Sequence, residues 1–216
     1  MLFRSFFDNL DIFWAGLRTT AGLTALSFVF ALAIGVVLAS CRVSPIKPLR
    51  VAAMTYVETV RNCPLTVHIL LAFFGWPKLG FRYSPFVTAV IVLSYYTGAF
   101  VGETIRAGMN TVGRGQLEAA RSIGLGFAKT LRLVVLPQSV RAVIAPLGSL
   151  LSALVRNSAI AYTISVLDIM GRSDRLITTT AQPLAVLIGA AITYYVLTIP
   201  LAFGINAVDR RQRIVR

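Results

Sequence analysis

The sequence predicts an all-α membrane protein with about five transmembrane helices in a single domain covering residues 1–216. Three observations lead to this fold class. Hydrophobic residues make up 56% of the 216-residue chain. Charged residues make up only 13%, against about 25% in an ordinary soluble domain. Apolar runs of about 20 residues, the length that crosses a bilayer as a helix, recur along the whole chain.

The apolar runs define the predicted membrane spans. The first and last runs contain no charged residue, whereas the three between them carry a few charged side chains. The first run is too long for the apolar region of a signal peptide, and the acidic residues Asp8 and Asp11 precede it. The predicted spans are residues 19–40, 51–76, 85–108, 142–166 and 183–208, and residues 109–141 form a polar connection.

The N-terminal residues carry a further helical pattern. Apolar side chains recur there at helical spacing, and the charged side chains lie off that stripe. The pattern predicts either an amphipathic helix in the membrane interface or an extension of the first span. The stripe consists of Phe3, Phe6, Phe7, Leu10, Trp14 and Leu17.

Basic residues in the loops predict the orientation. With five spans, twelve Lys and Arg residues fall on one side of the membrane and six on the other. The side richer in Lys and Arg faces the cytoplasm, so the N-terminus is expected outside and the C-terminus inside. The richer side holds Arg42, Lys47, Arg50, Arg114, Arg121, Lys129, Arg132, Arg141, Arg210, Arg211, Arg213 and Arg216. The other side holds Arg4, Arg18, Lys78, Arg82, Arg172 and Arg175.

The polar connection 109–141 is predicted to contain two short helices with a bend between them. Good helix formers surround Glu118, and Gly124 offers a left-handed helix end. Gly126 is a tolerable N-cap for a second helix, which is expected to stop at Pro137. Because isolated helices of this length are marginal in water, they need a surface to pack against.

The same stretch resembles the signature of integral-membrane subunits of bacterial ABC importers. That signature is Glu-Ala-Ala, three residues, Gly, nine residues, an aliphatic residue, one residue and Leu-Pro. The matching residues are Glu118, Ala119, Ala120, Gly124, Leu136 and Pro137, and Val134 stands where the family usually has Ile. The resemblance implies the type I ABC importer transmembrane fold. It also implies that the first short helix of 109–141 is a cytoplasmic coupling helix that docks on an ATPase dimer.

Three longer stretches, 57–75, 102–126 and 136–169, resemble the polar amino acid permeases of that family. The second stretch, for example, reads GETIRAGMNTVGRGQLEAARSIGLG. The departures from the family pattern are Asn62, Cys63, His68, Gly126, Arg156 and Asn157. The resemblance implies import by alternating access, with a second permease subunit (a paralogue or a second copy) and an extracytoplasmic amino-acid-binding protein as partners. It places the protein in the cell membrane among lipids.

Charged residues within the predicted spans mark a possible path for a polar substrate. Glu58 and Arg61 are three residues apart on one helix, as are Glu103 and Arg106. Residues at this spacing lie on the same helix face, so an ion pair can form within each couple. Both pairs are open to a second interpretation, as salt bridges near the cytoplasmic helix ends. We hypothesise that a substrate path is lined by Arg61, Asn62, His68, Arg156 and Asn157.

Arg156 lies in mid-span with no acid near it in sequence, and its guanidinium could bind a carboxylate. The alternative is a contact with a polar group of a neighbouring subunit. Two intramembrane arginines and the overall resemblance favour glutamate as the substrate. Glutamine, histidine or arginine remain alternatives.

Other activities find less support in the sequence. No phosphate-cradling GxxxxGK[ST] loop is present, so ATP and Mg²⁺ are expected to bind to the partner ATPase. Cys41, Cys63 and His68 form no metal-binding spacing, and no metal or other cofactor is expected in this chain. The positive charges fit membrane topology better than nucleic-acid binding. An intramembrane enzyme would need paired acids or a metal set, and a simple channel would not need the Glu-Ala-Ala pattern.

Overall fold

The computed structural model describes residues 7–212, except for the side chains of residues 114, 127, 128, 131, 211 and 212. The described chain is helical and contains no strand. Its α-helices are α1 (Leu10–Val43), α2 (Lys47–Asn62), α3 (Leu65–Gly75), α4 (Pro85–Met109), α5 (Arg114–Ser122), α6 (Phe127–Thr130), α7 (Leu136–Asn157), α8 (Ile169–Thr180) and α9 (Pro183–Gln212). Two 3₁₀ segments, Trp76–Leu79 and Ser158–Ile164, and a π-helical segment, Leu131–Val135, connect them.

Helix α1 is longer than the predicted span 19–40. It runs without interruption from Leu10, so the N-terminal stripe continues the first span from that residue onward. Phe3, Arg4 and Phe6 lie outside the described residues. Among the described residues, four helical segments are long and apolar enough to cross a membrane, namely Leu10–Val43, Pro85–Met109, Arg132–Ile164 and Pro183–Arg210.

The prediction of one continuous helix over 51–76 is wrong. Helix α2 ends at Asn62, Cys63 and Pro64 are extended, and α3 begins at Leu65. Proline has no N–H and disfavours helical backbone in the residue before it, so the helix breaks at this point. Helix α3 has only 11 residues, which is too short to span a bilayer by itself. The predicted second span is therefore a discontinuous helix.

Helix α4 is the centre of the bundle, and it packs most extensively against α1. Ser84 caps its first turn by accepting a hydrogen bond from the N–H of Val87 at 3.3 Å, and Pro85 occupies the first turn. The α1 contact is close because it is built from glycines. A Cβ atom on Gly35 would lie 2.3 Å from Cγ1 of Val101, and one on Gly98 would lie 2.7 Å from Cγ2 of Ile34.

The connection 109–141 differs from the prediction at its C-terminal end. Pro137 does not stop a helix, because it lies in the first turn of α7, where a missing N–H costs no hydrogen bond. The chain passes from α6 through the π-helical segment into α7. Helix α7 thus begins at Leu136, before the predicted start of the fourth span at residue 142. It contains Pro146 in its interior, as α9 contains Pro200.

Contacts near the helix ends give the direction of each long helix in the bundle. At one end of the bundle Phe13 packs with Ile169 and Val186. At the other end Arg42 contacts Glu103. We call these the Phe13 end and the Arg42 end. Helices α1, α4 and α9 run from the Phe13 end to the Arg42 end, whereas the broken helix α2–α3 and helix α7 run in the opposite direction. Helix α5, which follows α4, therefore lies at the Arg42 end.

Candidate functional site

The residues of the importer signature lie on an exposed segment at the Arg42 end. Glu118 and Ala119 are exposed on α5, whereas Ala120 is buried. Gly124 has φ +80°, the left-handed conformation that glycine adopts at no steric cost. The N–H of Gly124 donates to the carbonyl of Arg121 at 2.9 Å, and the N–H of Leu125 donates to that of Ala120 at 3.0 Å. These bonds end α5 and turn the chain.

The turn leaves an apolar side chain in solvent beside α5. Ile123 is 76% exposed and is one of the most exposed large apolar side chains of the described chain. An amphipathic helix with an exposed isoleucine at its end has the character of a docking element. The remaining signature residues, Leu136 and Pro137, are exposed at the start of α7. The side-chain amide of Gln138 donates to that of Gln116 and so ties α7 to α5.

The two predicted intrahelical ion pairs have different outcomes. Glu103 pairs with Arg106 as its spacing predicted, and it also pairs with Arg42 of α1, which the sequence did not indicate. Glu58 and Arg61 form no ion pair with each other. Glu58 is exposed, and the guanidinium of Arg61 lies over the ring of Phe100, 5.1 Å from its centroid. This position is a cation–π contact.

The helix break brings several predicted path residues together with aromatic residues of α4. Arg61 and Asn62 are exposed at the end of α2. His68, in the first half of α3, makes edge-to-face contacts with Tyr95 and Tyr96 at centroid distances of 5.5 and 5.7 Å. Nδ1 of His68 lies 2.9 Å from the hydroxyl oxygen of Tyr95. Polar side chains thus lie on both sides of the break, and those at the end of α2 are exposed.

Arg156 lies between two cavities that separate α7 from α9. One cavity of about 280 Å³ is lined by Ser149, Ser152 and Asn206 beside Arg156. The other, of about 380 Å³, is lined by Tyr194, Tyr195 and Thr198 beside the same residue. Arg156 is exposed and has no ion pair among the described residues. Asn157 is half-buried at the C-terminal end of α7.

The two groups of predicted path residues lie on adjoining parts of the bundle. Leu65 and Ile69 of α3 pack in one core cluster with Leu154 of α7 and Ala161 of the 3₁₀ segment. Among the described residues, no direct contact joins the polar side chains of one group to those of the other. The described side chains also contain no group of three His, Cys, Asp or Glu residues placed to hold a metal ion.

A bundle with helices that can cross the membrane, open cavities partly lined by polar side chains and a short amphipathic helix exposed at one end has the architecture of an integral-membrane transport subunit. The sequence profile of the "Binding-protein-dependent transport system inner membrane component" family matches residues 31–214. The chain belongs to this family and is an inner membrane component. Its fold is that of the type I ABC importer permeases.

Individual relatives narrow the class of substrate. The chain is 37% identical to the "Probable glutamine ABC transporter permease protein GlnM" of Bacillus subtilis, with 95% of each covered. It is 38% identical to the "Glutamate transport system permease protein GluC" of Corynebacterium glutamicum, over 95% of this chain and 94% of the relative. A crystal structure of an amino acid ABC transporter with histidines superposes with a TM-score of 0.93 at 32% identity, covering 97% and 98% of the two chains. The chain is therefore a permease subunit of a polar amino acid ABC importer.

Proposed function

We propose that this permease moves glutamate into the cell. The observation that carries the proposal is the Arg156 guanidinium, which borders two cavities between α7 and α9 and has no acidic partner among the described residues. A cation in a membrane-embedded cavity is costly unless an anion accompanies it. The planar guanidinium fits a carboxylate in a bidentate geometry. Glutamate carries one carboxylate more than glutamine, and that extra charge suits an otherwise uncompensated arginine.

The neighbouring Asn157 supports the same choice. An acidic residue at this position would offset the charge of Arg156 and favour a neutral or cationic substrate, whereas an amide leaves that charge in place. The similarity to a relative named as a glutamate permease agrees with this interpretation. The similarity to a relative named as a glutamine permease makes glutamine the main competing substrate.

The rest of the machinery follows from the position of the exposed segment. We propose that α5 and Ile123 dock on a cytoplasmic ATPase dimer, which binds ATP and Mg²⁺. The Arg42 end then faces the cytoplasm and the Phe13 end faces outward, where an amino-acid-binding protein delivers the substrate. A second permease subunit, either a paralogue or another copy, completes the path by covering the exposed polar residues of α2 and α7.

Uptake by the assembled transporter tests the substrate. Proteoliposomes containing the permease–ATPase complex are supplied with its binding protein and with labelled glutamate, glutamine, histidine or arginine in turn. We expect ATP-dependent accumulation of glutamate at least tenfold above that of the other three. Preferential uptake of arginine would overturn the proposal. Preferential uptake of glutamine would keep the importer and replace its substrate.

The variant Asn157→Asp tests the electrostatic argument within the same assay. Placing a carboxylate next to Arg156 should lower glutamate uptake and lower the ratio of glutamate to glutamine uptake by about tenfold. Asn206→Asp is a comparison variant, because it adds the same charge to the lining of one of the Arg156 cavities from the facing helix. An unchanged ratio in both variants contradicts a role for Arg156 in substrate choice.

Co-purification tests the coupling segment. Gly124→Ala forces a Cβ into left-handed backbone, which costs about 1–2 kcal/mol and changes the direction of the chain after α5. Gly126→Ala is the matched control, since both glycines have open space around them and only Gly124 has a positive φ. We expect Gly124→Ala to lose most of the bound ATPase while Gly126→Ala keeps it. Equal ATPase recovery in both variants contradicts docking through this turn.

A further inference from the structure

One residue of α4 contacts both halves of the broken helix. The hydroxyl of Tyr56, on α2, donates a hydrogen bond to the backbone carbonyl of Tyr95 at 3.1 Å. The hydroxyl of Tyr95 lies 2.9 Å from Nδ1 of His68, on α3. Tyr95 therefore bonds with its backbone to the helix before the break and with its side chain to the helix after it.

The backbone at the break does not by itself fix the direction of α3. Cys63 and Pro64 are extended, with ψ near +136° and +138°. The N–H groups of Val67 and His68 donate to the carbonyl of Pro64, so the first hydrogen bonds of α3 do not reach α2. The angle between the two helices must then be set by contacts with neighbouring elements. The Tyr95 bonds are the side-chain hydrogen bonds of the described structure that tie the two helices to a common residue.

His68 depends on Tyr95 for its orientation. Nε2 of His68 is buried and has no hydrogen-bond partner among the described residues. Tyr96 contacts the imidazole in an edge-to-face arrangement and makes no hydrogen bond to it in the described structure. The bond to the Tyr95 hydroxyl is thus the polar contact that fixes the imidazole. Because His68 lies one turn after Pro64, a fixed imidazole also fixes the first turn of α3.

We propose that Tyr95 is a positioning residue for the substrate path. It holds the two sides of the break in register, so that Asn62 at the end of α2 and Thr66 at the start of α3 face the substrate together. Both residues are exposed on the single chain. The inference rests on the proposed function, in which the break lines the path. It does not depend on which polar amino acid is carried.

Equilibrium binding tests this role. The purified permease–ATPase complex without binding protein is titrated with the labelled amino acid that the unmodified complex transports best. The same amino acid is used for every variant. Tyr95→Phe loses one intramolecular hydrogen bond. We therefore expect this variant to bind the substrate about three- to tenfold more weakly than the original protein. Tyr96→Phe is the matched control. It removes a hydroxyl with no partner in the described structure and should leave the Kd unchanged.

A double-mutant cycle separates positioning from general stability. His68→Leu removes the same hydrogen bond from the other side, so the variant with both Tyr95→Phe and His68→Leu should bind no more weakly than the weaker of the two single variants. His68→Gln keeps an acceptor for the Tyr95 hydroxyl and should therefore bind the substrate more tightly than His68→Leu does. Additive losses, or an unchanged Kd in Tyr95→Phe, overturn the proposal. If Tyr95→Phe fails to fold, Tyr56→Phe tests the other bond in the same way and should weaken binding.

Asn62→Ala distinguishes the two levels of the argument. If this variant changes the Kd while Tyr95→Phe does not, the break lines the path and the role of Tyr95 is wrong. If neither variant changes the Kd, the placement of the path at the break is wrong and the Tyr95 proposal fails with it.

Discussion

The α1–α4 pair and the α7–α9 face of this protein are built in opposite ways. In the most apolar 18-residue stretch of α4, 56% of the residues are buried, compared with 17% in the corresponding stretch of Arg132–Ile164. Glycines draw α1 and α4 together until their backbones almost touch. Helices α7 and α9, in contrast, leave two cavities between them around Arg156.

The difference shows that α4 is largely covered by its own chain, whereas the α7–α9 face is not. Helix α4 has neighbours from the same chain on most sides, so it forms a scaffold. The α7–α9 face exposes Arg156 as well as apolar residues, and a charged residue in that place does not suit lipid. Substrate, water or a second subunit must meet this face. Substitutions in each part of the bundle test this division.

Gly35→Ala should damage the scaffold most. Its Cβ would lie 2.3 Å from Cγ1 of Val101 and 2.9 Å from the backbone nitrogen of Gly102, and overpacking of this kind costs about 1–3 kcal/mol. We expect a lower yield of monodisperse protein and an earlier thermal unfolding transition in detergent. Gly22→Ala, on the same helix with nothing within 4 Å, is the control and should unfold no earlier than the original protein. Equal behaviour of the two variants would contradict the close packing of α1 against α4.

Arg156→Ala should have the opposite effect to Gly35→Ala, with reduced transport and nearly unchanged stability. We expect ATP-dependent uptake to fall by about tenfold or more, because the proposed bidentate contact of Arg156 with a substrate carboxylate is lost. Thermal unfolding should remain close to that of the original protein, since the side chain is exposed. Arg156→Lys should retain part of the uptake. Arg175→Ala, which removes an exposed arginine from α8, is the control. Unchanged uptake in Arg156→Ala refutes the path assignment.

Glu103→Gln should affect the scaffold moderately. Glu103 bonds to Arg42 of α1 and to Arg106 of its own helix, and the change leaves two partly buried guanidinium groups without their carboxylate. A loss of about 1–3 kcal/mol in the free energy of unfolding is expected. Glu58→Gln is the matched control, because Glu58 is exposed and forms no ion pair among the described residues. A comparison of the unfolding transitions of the two variants decides whether the ion pairs of Glu103 with Arg42 and Arg106 stabilise the bundle.

The smallest effect concerns the link between α7 and α9. Asp168 is fully buried, and its Oδ1 accepts a hydrogen bond from the N–H of Gly171 at 2.8 Å as the N-cap of α8. Burial raises the pKa of Asp168 to about 6 from 3.8. An acid whose pKa is raised by folding contributes stability when protonated, so that contribution is lost as pH rises from about 4 to about 6.

Asp168→Asn keeps the acceptor oxygen and removes the charge. The difference in unfolding temperature between the variant and the original protein should therefore grow in favour of the variant as pH rises through this range. A difference that does not vary between pH 4 and pH 7 would show that the Asp168 carboxyl is not shifted by burial.

Local patterns in the sequence were sufficient for much of this architecture. Span 85–108 corresponds to α4 because a serine cap, a proline in the first turn and an apolar run all indicate the same helix. The left-handed turn at Gly124 was predictable for the same kind of reason. The break at Pro64 was missed because apolar residues predominate on both sides of it. Pro137 was misinterpreted because a proline ends one helix and begins another with equal ease.

Contacts between distant residues were not predictable in this way. Arg42 and Glu103 are 61 residues apart, and nothing in the spacing of either residue indicates the other. The cavities around Arg156 depend on how α7 packs against α9. Periodicity shows which residues share a helix face, but it does not show which helix that face meets.

The interior prolines of α7 and α9 determine where this bundle can bend. Pro146 and Pro200 each deprive their helix of one backbone hydrogen bond, to the carbonyls of Ala142 and Val196 respectively. Helices α1 and α4 have no proline in their interiors. Mechanical compliance is thus concentrated in the two helices that border the Arg156 cavities. In the proposed mechanism, an ATPase that pulls on α5 acts on a stiff pair of helices joined to a more compliant pair, and the resulting deformation concentrates at the cavities.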